Sequence, residues 1–198
     1  MPFIKVFNIA SLTLFFLIGS DSTVASDTGR KIAESDSKPN IILILADDMS
    51  WFDVGSYHKR FNNVPKNAIT PNIDKIASEG MLFTRSFTAS AMCAPTRMQL
   101  YTGIYPVRNG AYGNHTRVYE GVKSAAHYFK EPGYRVGSSG TGQIFPNKAF
   151  PFERSGKANN GPEGESSFGI QQTRKFMARN KKQPFFLVIA SANPHLPW

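Results

Sequence analysis

Three groups of residues have the types and spacing to do chemistry together: the sole cysteine, Cys93, with Arg97 one helical turn on; the adjacent carboxylates Asp47 and Asp48; and His195, set between Pro194 and Pro197. Pro95 suits a first helical position, where its missing N–H costs nothing, and Gly103 suits a left-handed stop. The spacing therefore predicts a short helix over 96–102, with Cys93 just before its N-terminus, where free N–H groups and the helix dipole favour an anion. Arg97 can reach back with a planar fork suited to an oxyanion. Two readings of Cys93 stand at this point. It is a small buried hydrophobe, as free cysteines commonly are, or it is the reactive centre of a site that processes an anion.

Asp47 and Asp48 follow an uninterrupted apolar run, residues 40–46. Such a run is of strand length and apolar on both faces, which suits a central strand of a parallel sheet covered by helices. Ligands of open α/β sheets bind beyond the carboxyl ends of strands. The pair is thus either an Asp-rich turn or a seat for a hard divalent cation held by carboxylate oxygens. A second apolar run, residues 184–190, predicts another buried strand, with His195 just beyond its end. Asn109 to His115 reads as a Gly- and Asn-rich loop. Tyr112 and His115 there are candidates to line a substrate pocket, against the plainer reading of an idle surface loop. Asn114-His115-Thr116 also fits the N-glycosylation pattern.

The remaining elements position these groups. Residues 70–80 read as a helix capped by Thr70, opened by Pro71 and stopped by Gly80, with Ile73, Ile76 and Ala77 on its apolar face. Residues 81–87 read as a strand leading to Cys93. Residues 124–130 form a short helix ended by Pro132-Gly133, then a strand starts at 134–137 with a loop at 138–143. Residues 153–165 read as an exposed Gly- and Asn-rich insertion. Ser166 or Ser167 caps a helix through Arg179, with Phe168, Thr173, Phe176 and Met177 on one face.

The chain of 198 residues is long enough for one domain with a real core. Its formal charge of +9 favours anionic partners. No basic helix, RNA-binding signature or paired-Cys knuckle supports a nucleic-acid partner. Residues 1–26 read as a secretory signal, with Lys5, an apolar core over 6–19 and small residues at 24–26; an uncleaved membrane anchor is the competing reading. Residues 27–39 are a polar leader and 40–198 the folded domain. The expected location is outside the cytoplasm, secreted or periplasmic, with membrane contact only through the signal. A single Cys leaves no internal disulfide, so stability rests on the core.

Cys93, Pro95 and Arg97, followed by a helix and Thr102-Gly103, resemble the signature of the type I sulfatases, with Thr96 where that family usually has Ser. Asp47-Asp48 is similar to the family's metal pair, residues 70–74 to its Thr-Pro-Asn-x-Asp landmark, and Pro194, His195 and Pro197 to its Pro-His-x-Pro element. Residues 144–153 most resemble the heparan N-sulfatase (sulfamidase) branch. The resemblance runs from about residue 40 to 198 and implies an α/β fold: a mostly parallel sheet sandwiched by helices, alkaline-phosphatase-like and truncated, because family members are usually far longer and later supply further Ca²⁺ ligands, another Lys and a smaller C-terminal domain.

The resemblance further implies that Cys93 is oxidised to Cα-formylglycine by the formylglycine-generating enzyme. One hydroxyl of its hydrated form attacks the sulfur of a sulfate ester or sulfamate, and the second expels sulfate. It also implies Ca²⁺ on Asp47, Asp48 and residue 93, a sulfated carbohydrate as substrate, Arg97 orienting residue 93 and His195 contacting the sulfate. One departure stands out: the family's Gly-Lys-x-His places Thr141 at the Lys and Gln143 at the His. Losing a preorganised donor costs roughly 10²–10³ in rate and a general acid roughly 10²–10⁴, so this chain is expected to be weakly active or inactive. Two rivals are a non-catalytic binder of sulfated glycans and a phosphatase or phosphonate hydrolase on the same scaffold.

Overall fold

In a computed structural model, the structure describes residues 38–58, 61, 68–140, 142, 144–157 and 168–195. These fall within one compact unit, residues 36–198. Thr141, Gln143, Ser166, Ser167 and the leader 1–37 lie outside the described residues.

Among the described residues, four parallel strands form the sheet: β1 (Ile41–Ala46), β2 (Arg135–Gly140), β3 (Glu153–Lys157) and β4 (Phe185–Ser191), in the order β1-β4-β2-β3. All three pairings are parallel, as the unbroken apolar runs and intervening helices require. The helices are α1 (Gly55–His58), α2 (Pro71–Glu79), α3 (Cys93–Thr102), α4 (Pro106–Asn109), α5 (Ala125–Lys130) and α6 (Ile170–Ala178). Strand alternation sends Phe186 and Val188 of β4 to one face, where they join Ala94, Met98 and Tyr101 of α3 and Ala126 of α5. Phe185, Leu187 and Ile189 go to the other face, against Phe176 of α6. The mostly parallel sheet with helices on both faces is the fold class read from the sequence.

β4 is buried along its length apart from Ser191 at its end. β1 departs from the sequence reading. It stands at the end of the strand order and alternates between half-buried and exposed positions, because Ile41, Leu43 and Leu45 pack against the first core cluster while Ile42 and Ile44 on the other face stay exposed.

Other elements also differ from expectation. Residues 81–87 form no strand, for no described strand pairs with them. β2 continues through Ser138–Gly140, which the sequence marks as loop, because those residues keep register with β4 through Gly140↔Ala190. Only glycine fits at 140: its φ is +92° and a Cβ would lie 1.9 Å from the Ala190 carbonyl oxygen. Residues 153–157, read as insertion, form the edge strand β3, fastened where the Ser155 hydroxyl donates to the Ser138 carbonyl oxygen at 3.2 Å.

α2 has its predicted ends but buries none of its residues. Thr70 makes no side-chain cap; its hydroxyl accepts from the Gly55 N–H at 2.9 Å and donates to Asp74 Oδ1 at 3.0 Å. α6 opens at Gly169 rather than at a serine, with Thr173 and Phe176 buried as its period predicts.

Candidate active site

β1 ends by handing its ladder to the site: the Asp47 N–H donates to the Ser191 carbonyl oxygen at 3.2 Å, one step beyond the last β1–β4 pair. Asp47 is buried. Asp48 then turns the chain with φ at +57°, a left-handed conformation that aspartate tolerates better than most residues but that still costs about 1–2 kcal/mol. That strained turn sets two successive carboxylates at the carboxyl edge of the sheet.

α3 begins two residues earlier than the Pro95 signal implies. Met92 is its N-cap, in extended conformation and without a side-chain cap, so Cys93 is the first helical residue. Gly103 closes the helix with φ at +69°, its N–H donating to the Gln99 carbonyl oxygen at 2.8 Å. The helical period stacks Cys93, Arg97 and Tyr101 on one side.

The Arg97 guanidinium, buried, lies 3.1 Å (Nη2) from Asp47 Oδ1. Tyr101 is buried beside it. Burial pushes its phenol up to about 12, against the opposing pull of the Arg97 charge and hydrogen bond, so Tyr101 stays neutral and braces the guanidinium.

Cys93 Sγ is 4.0 Å from Asp48 Oδ1. Its thiol is pushed above the ordinary value, first by burial and then by the negative charge and hydrogen bonding of Asp47 and the charge of Asp48, with Arg97 pulling the other way. An unmodified Cys93 is therefore a protonated thiol and a poor thiolate nucleophile.

His195 sits on a tight turn after β4, its N–H donating to the Ala192 carbonyl oxygen at 3.0 Å. Its Nε2 is 3.5 Å from Asp48 Oδ2. Single ligand atoms of Asp47, Cys93 and His195 all lie within 4.8 Å of one another. Asp47, Asp48, Cys93 and Arg97 open on a cavity of about 540 Å³, whose wall includes Ser50 and Thr88. The structure thus brings together five residues from three separate stretches of the sequence: Asp47 and Asp48, Cys93 and Arg97, and His195.

It does not bring Tyr112 or His115 to them. Tyr112 is exposed and lines a separate hollow with Gly110 and Tyr119, and His115 is exposed in a turn with φ at +60°. A cavity of about 580 Å³ between β3 and α6 holds none of the five. Tyr101 is the site residue the sequence reading misses; its signal was the four-residue step from Arg97 along one helix.

The donor set can be tested against a metal. Two carboxylates suit a hard cation, but a thiol does not, and Ca²⁺ takes oxygen ligands. The carboxylates of Asp47 and Asp48 suit Ca²⁺ by their chemistry, whereas Cys93, whose sulfur lies within the 4.8 Å group with Asp47 and His195, suits it only when that residue carries oxygen in place of sulfur.

The sulfatase family model matches residues 39–198. An ulvan-active sulfatase of Formosa agariphila is 35% identical over 181 residues, covering 89% of this chain and 35% of that protein. Human N-sulphoglucosamine sulphohydrolase is 33% identical over 166 residues, covering 79% of this chain and 32% of the enzyme. Among solved structures, a protein in complex with its substrate D-glucosamine-2-N,6-O-disulfate superposes with a TM-score of 0.67 at 21% identity, covering 82% of this chain and 36% of that one. A 2-O GAG sulfatase gives 0.64 at 22% identity over 80% and 36%. At such identities the structural likeness speaks for the fold, which is that of the alkaline-phosphatase-like sulfatases. The chain spans about a third of the length of these relatives. With a family model matched over most of its length and with relatives named as a sulfatase and a sulphohydrolase, this chain belongs to the sulfatase family.

Proposed function

We propose that the site built by Asp47, Asp48, Cys93, Arg97 and His195 hydrolyses a sulfate ester or sulfamate of a sulfated carbohydrate: water is consumed, and inorganic sulfate and the free alcohol or amine are released. The observation that carries this reading is the convergence of both carboxylates, the lone cysteine and the imidazole, with donor atoms of Asp47, Cys93 and His195 inside 4.8 Å. The names of the relatives support the substrate class, since one is an ulvan-active sulfatase and another was solved with a sulfated glucosamine.

In this reading Cys93 is oxidised to formylglycine by the formylglycine-generating enzyme, with dioxygen as oxidant and a reductant supplying two hydrogens: one oxygen becomes the aldehyde, the other leaves as water and the sulfur leaves as sulfide, so that an oxygen centre stands where a protonated thiol stood. Asp47 and Asp48 hold Ca²⁺, which screens the negative charge of the sulfate when bound. Arg97 fixes Asp47 from behind, and Tyr101 fixes Arg97. His195, whose Nε2 lies 3.5 Å from Asp48 Oδ2, shares its Nε2 proton with that carboxylate and stands beside the transferring group. The N-terminus of α3 favours the anion beside residue 93. In the same reading residues 1–26 serve as an export signal and the protein is secreted or periplasmic.

Thr141 and Gln143 stand where the family's register has its lysine and histidine, and that favours a second reading: a sulfated-glycan binder with weak turnover or none. Both readings require the same five residues to meet an anionic sugar. Titrating the full chain with D-glucosamine-2-N,6-O-disulfate in Ca²⁺ by calorimetry tests this. Binding weakened at least about tenfold by Asp48→Asn and by His195→Ala is the expected result. Binding unchanged by both contradicts the assignment. Sulfate release by the matured chain above a Cys93→Ala control decides for hydrolase over binder.

A further inference from the structure

We infer that Arg154 is a specificity-determining residue of the proposed hydrolase: its guanidinium receives a second sulfate of the substrate, borne by the same sugar as the group that reacts. The inference rests on the proposed function, since it needs a sulfated carbohydrate held at Asp47, Asp48 and His195. What it adds is a subsite at the carboxyl end of β2.

Strand alternation aims the side chain. Glu153 is in register with Gly137, and Arg154 with Ser138. Gly137 faces α6, for a Cβ there would lie 2.6 Å from the Phe176 ring, and Glu153 on that face accepts both hydrogen bonds of Arg179. Ser138 is in register with Val188, which shares a core with Met98 and Tyr101 of α3. Arg154 therefore lies on the α3 face, across the sheet from the carboxylate next to it in sequence. From there its guanidinium reaches the end of β2: a Cβ built on Gly142 would stand 3.0 Å from both Nη1 and Nη2. The Tyr101 phenol, raised to about 12 by burial, is drawn the other way by the charges of Arg97 and Arg154 alike. Two guanidinium groups thus act on one phenol.

They are not equivalent. Arg97 is buried and paired with Asp47 at 3.1 Å. Arg154 is exposed, and among the described residues it joins no ion pair. An exposed planar fork without a carboxylate suits a sulfate, whose oxygens it can meet two at a time. Thr141 and Gln143, on either side of Gly142, bring no charge, so the cation at this end of β2 comes from the neighbouring strand.

Arg154 is not in the wall of the cavity that holds Asp47, Asp48, Cys93 and Arg97, so it meets a different group from the one that reacts there. Neighbouring strands lie about 4.8 Å apart. The end of β2 is one such spacing from the end of β4, which leads to His195, and two from the end of β1, which leads to Asp47. A single sugar ring with a sulfate on either side bridges that separation.

The test is calorimetric titration of the full chain, in Ca²⁺, with D-glucosamine-2-N,6-O-disulfate and with the 2-N and 6-O monosulfates. The unsubstituted chain should bind the disulfate at least about tenfold tighter than either monosulfate, the usual size of a charge-assisted contact. Arg154→Gln should bring that ratio below about threefold. Arg154→Lys, which keeps the charge and loses the fork, should hold part of it. A merely structural Arg154 would weaken all three probes alike, and circular dichroism of both variants shows whether the fold is kept. A disulfate preference that survives Arg154→Gln, a uniform loss across the three probes, or no preference in the unsubstituted chain would overturn the inference. The two assignments fail separately. Binding indifferent to Asp48→Asn and His195→Ala removes the proposed function, whereas an unchanged ratio in Arg154→Gln removes only the subsite.

Discussion

Arg97 Nη2 lies 3.1 Å from Asp47 Oδ1, and both side chains are buried. The pair ties the helix bearing Cys93 to the end of the strand bearing the carboxylates, so one contact fixes the spacing of the groups on which the proposed chemistry depends. Breaking a buried pair by removing one partner leaves a charge uncompensated and costs about 3–5 kcal/mol. Arg97→Leu and Asp47→Asn should each lower the melting temperature by about 6 °C or more, at the usual ~2–4 °C per kcal/mol for a domain of this size. The double variant should lose less than the sum of the two. Strict additivity would show that the contact couples nothing.

Calcium should stabilise the chain through Asp47 and Asp48. A ligand bound only by the folded state at a hundred times its dissociation constant contributes about 2.7 kcal/mol. Thermal melts with Ca²⁺ and with chelator should differ by several degrees for the unsubstituted chain and not at all for Asp48→Asn. The gap should be larger for the formylglycine-bearing protein, whose residue 93 offers oxygen. An equal gap in Asp48→Asn would place the ion elsewhere.

Acid should destabilise the pairing of β3 with α6. Arg179 donates to both oxygens of Glu153, at 2.8 and 2.7 Å, and these hydrogen bonds hold the Glu153 carboxyl below its ordinary value. A carboxyl with a lower value in the folded state than in the unfolded one contributes stability above the unfolded value and loses it as pH falls through the folded one. The loss therefore begins as pH reaches the ordinary carboxylate value and continues below it, down through the folded one. Both side chains are about half exposed, so the effect is modest and screened by salt. Glu153→Gln should flatten the melting-temperature profile between about pH 5 and 3 relative to the unsubstituted chain. A parallel pair of profiles would remove the pair from the account.

Much of this site was legible because local signals agree there with the fold. Pro95 and Gly103 bracket α3 to within two residues at its start, and the apolar runs before Asp47 and His195 give β1 and β4. Strands that are neighbours and parallel then bring those two ends together, and both the family resemblance and the α/β class follow. What stayed hidden depends on partners. Glu153–Lys157 has no apolar alternation and is a strand only because β2 offers it a ladder. β1 reads as central from its composition, but its exposure depends on what lies beside it. Tyr112 and His115 are loop residues whose placement no local signal encodes; both are exposed, and Tyr112 lines a separate hollow. Tyr101 looks like any core aromatic until its step from Arg97 is set against the buried guanidinium.

The central claim is that residue 93 stands in this site to be converted and not to fill space. Mass spectrometry of the peptide bearing residue 93, from chain co-expressed with the formylglycine-generating enzyme, tests it most directly. The account predicts a peptide in which the thiol's sulfur and two hydrogens have given way to one oxygen, and which reacts with an aldehyde-specific hydrazide. A residue 93 that keeps its free thiol under conditions that convert a known sulfatase would contradict it.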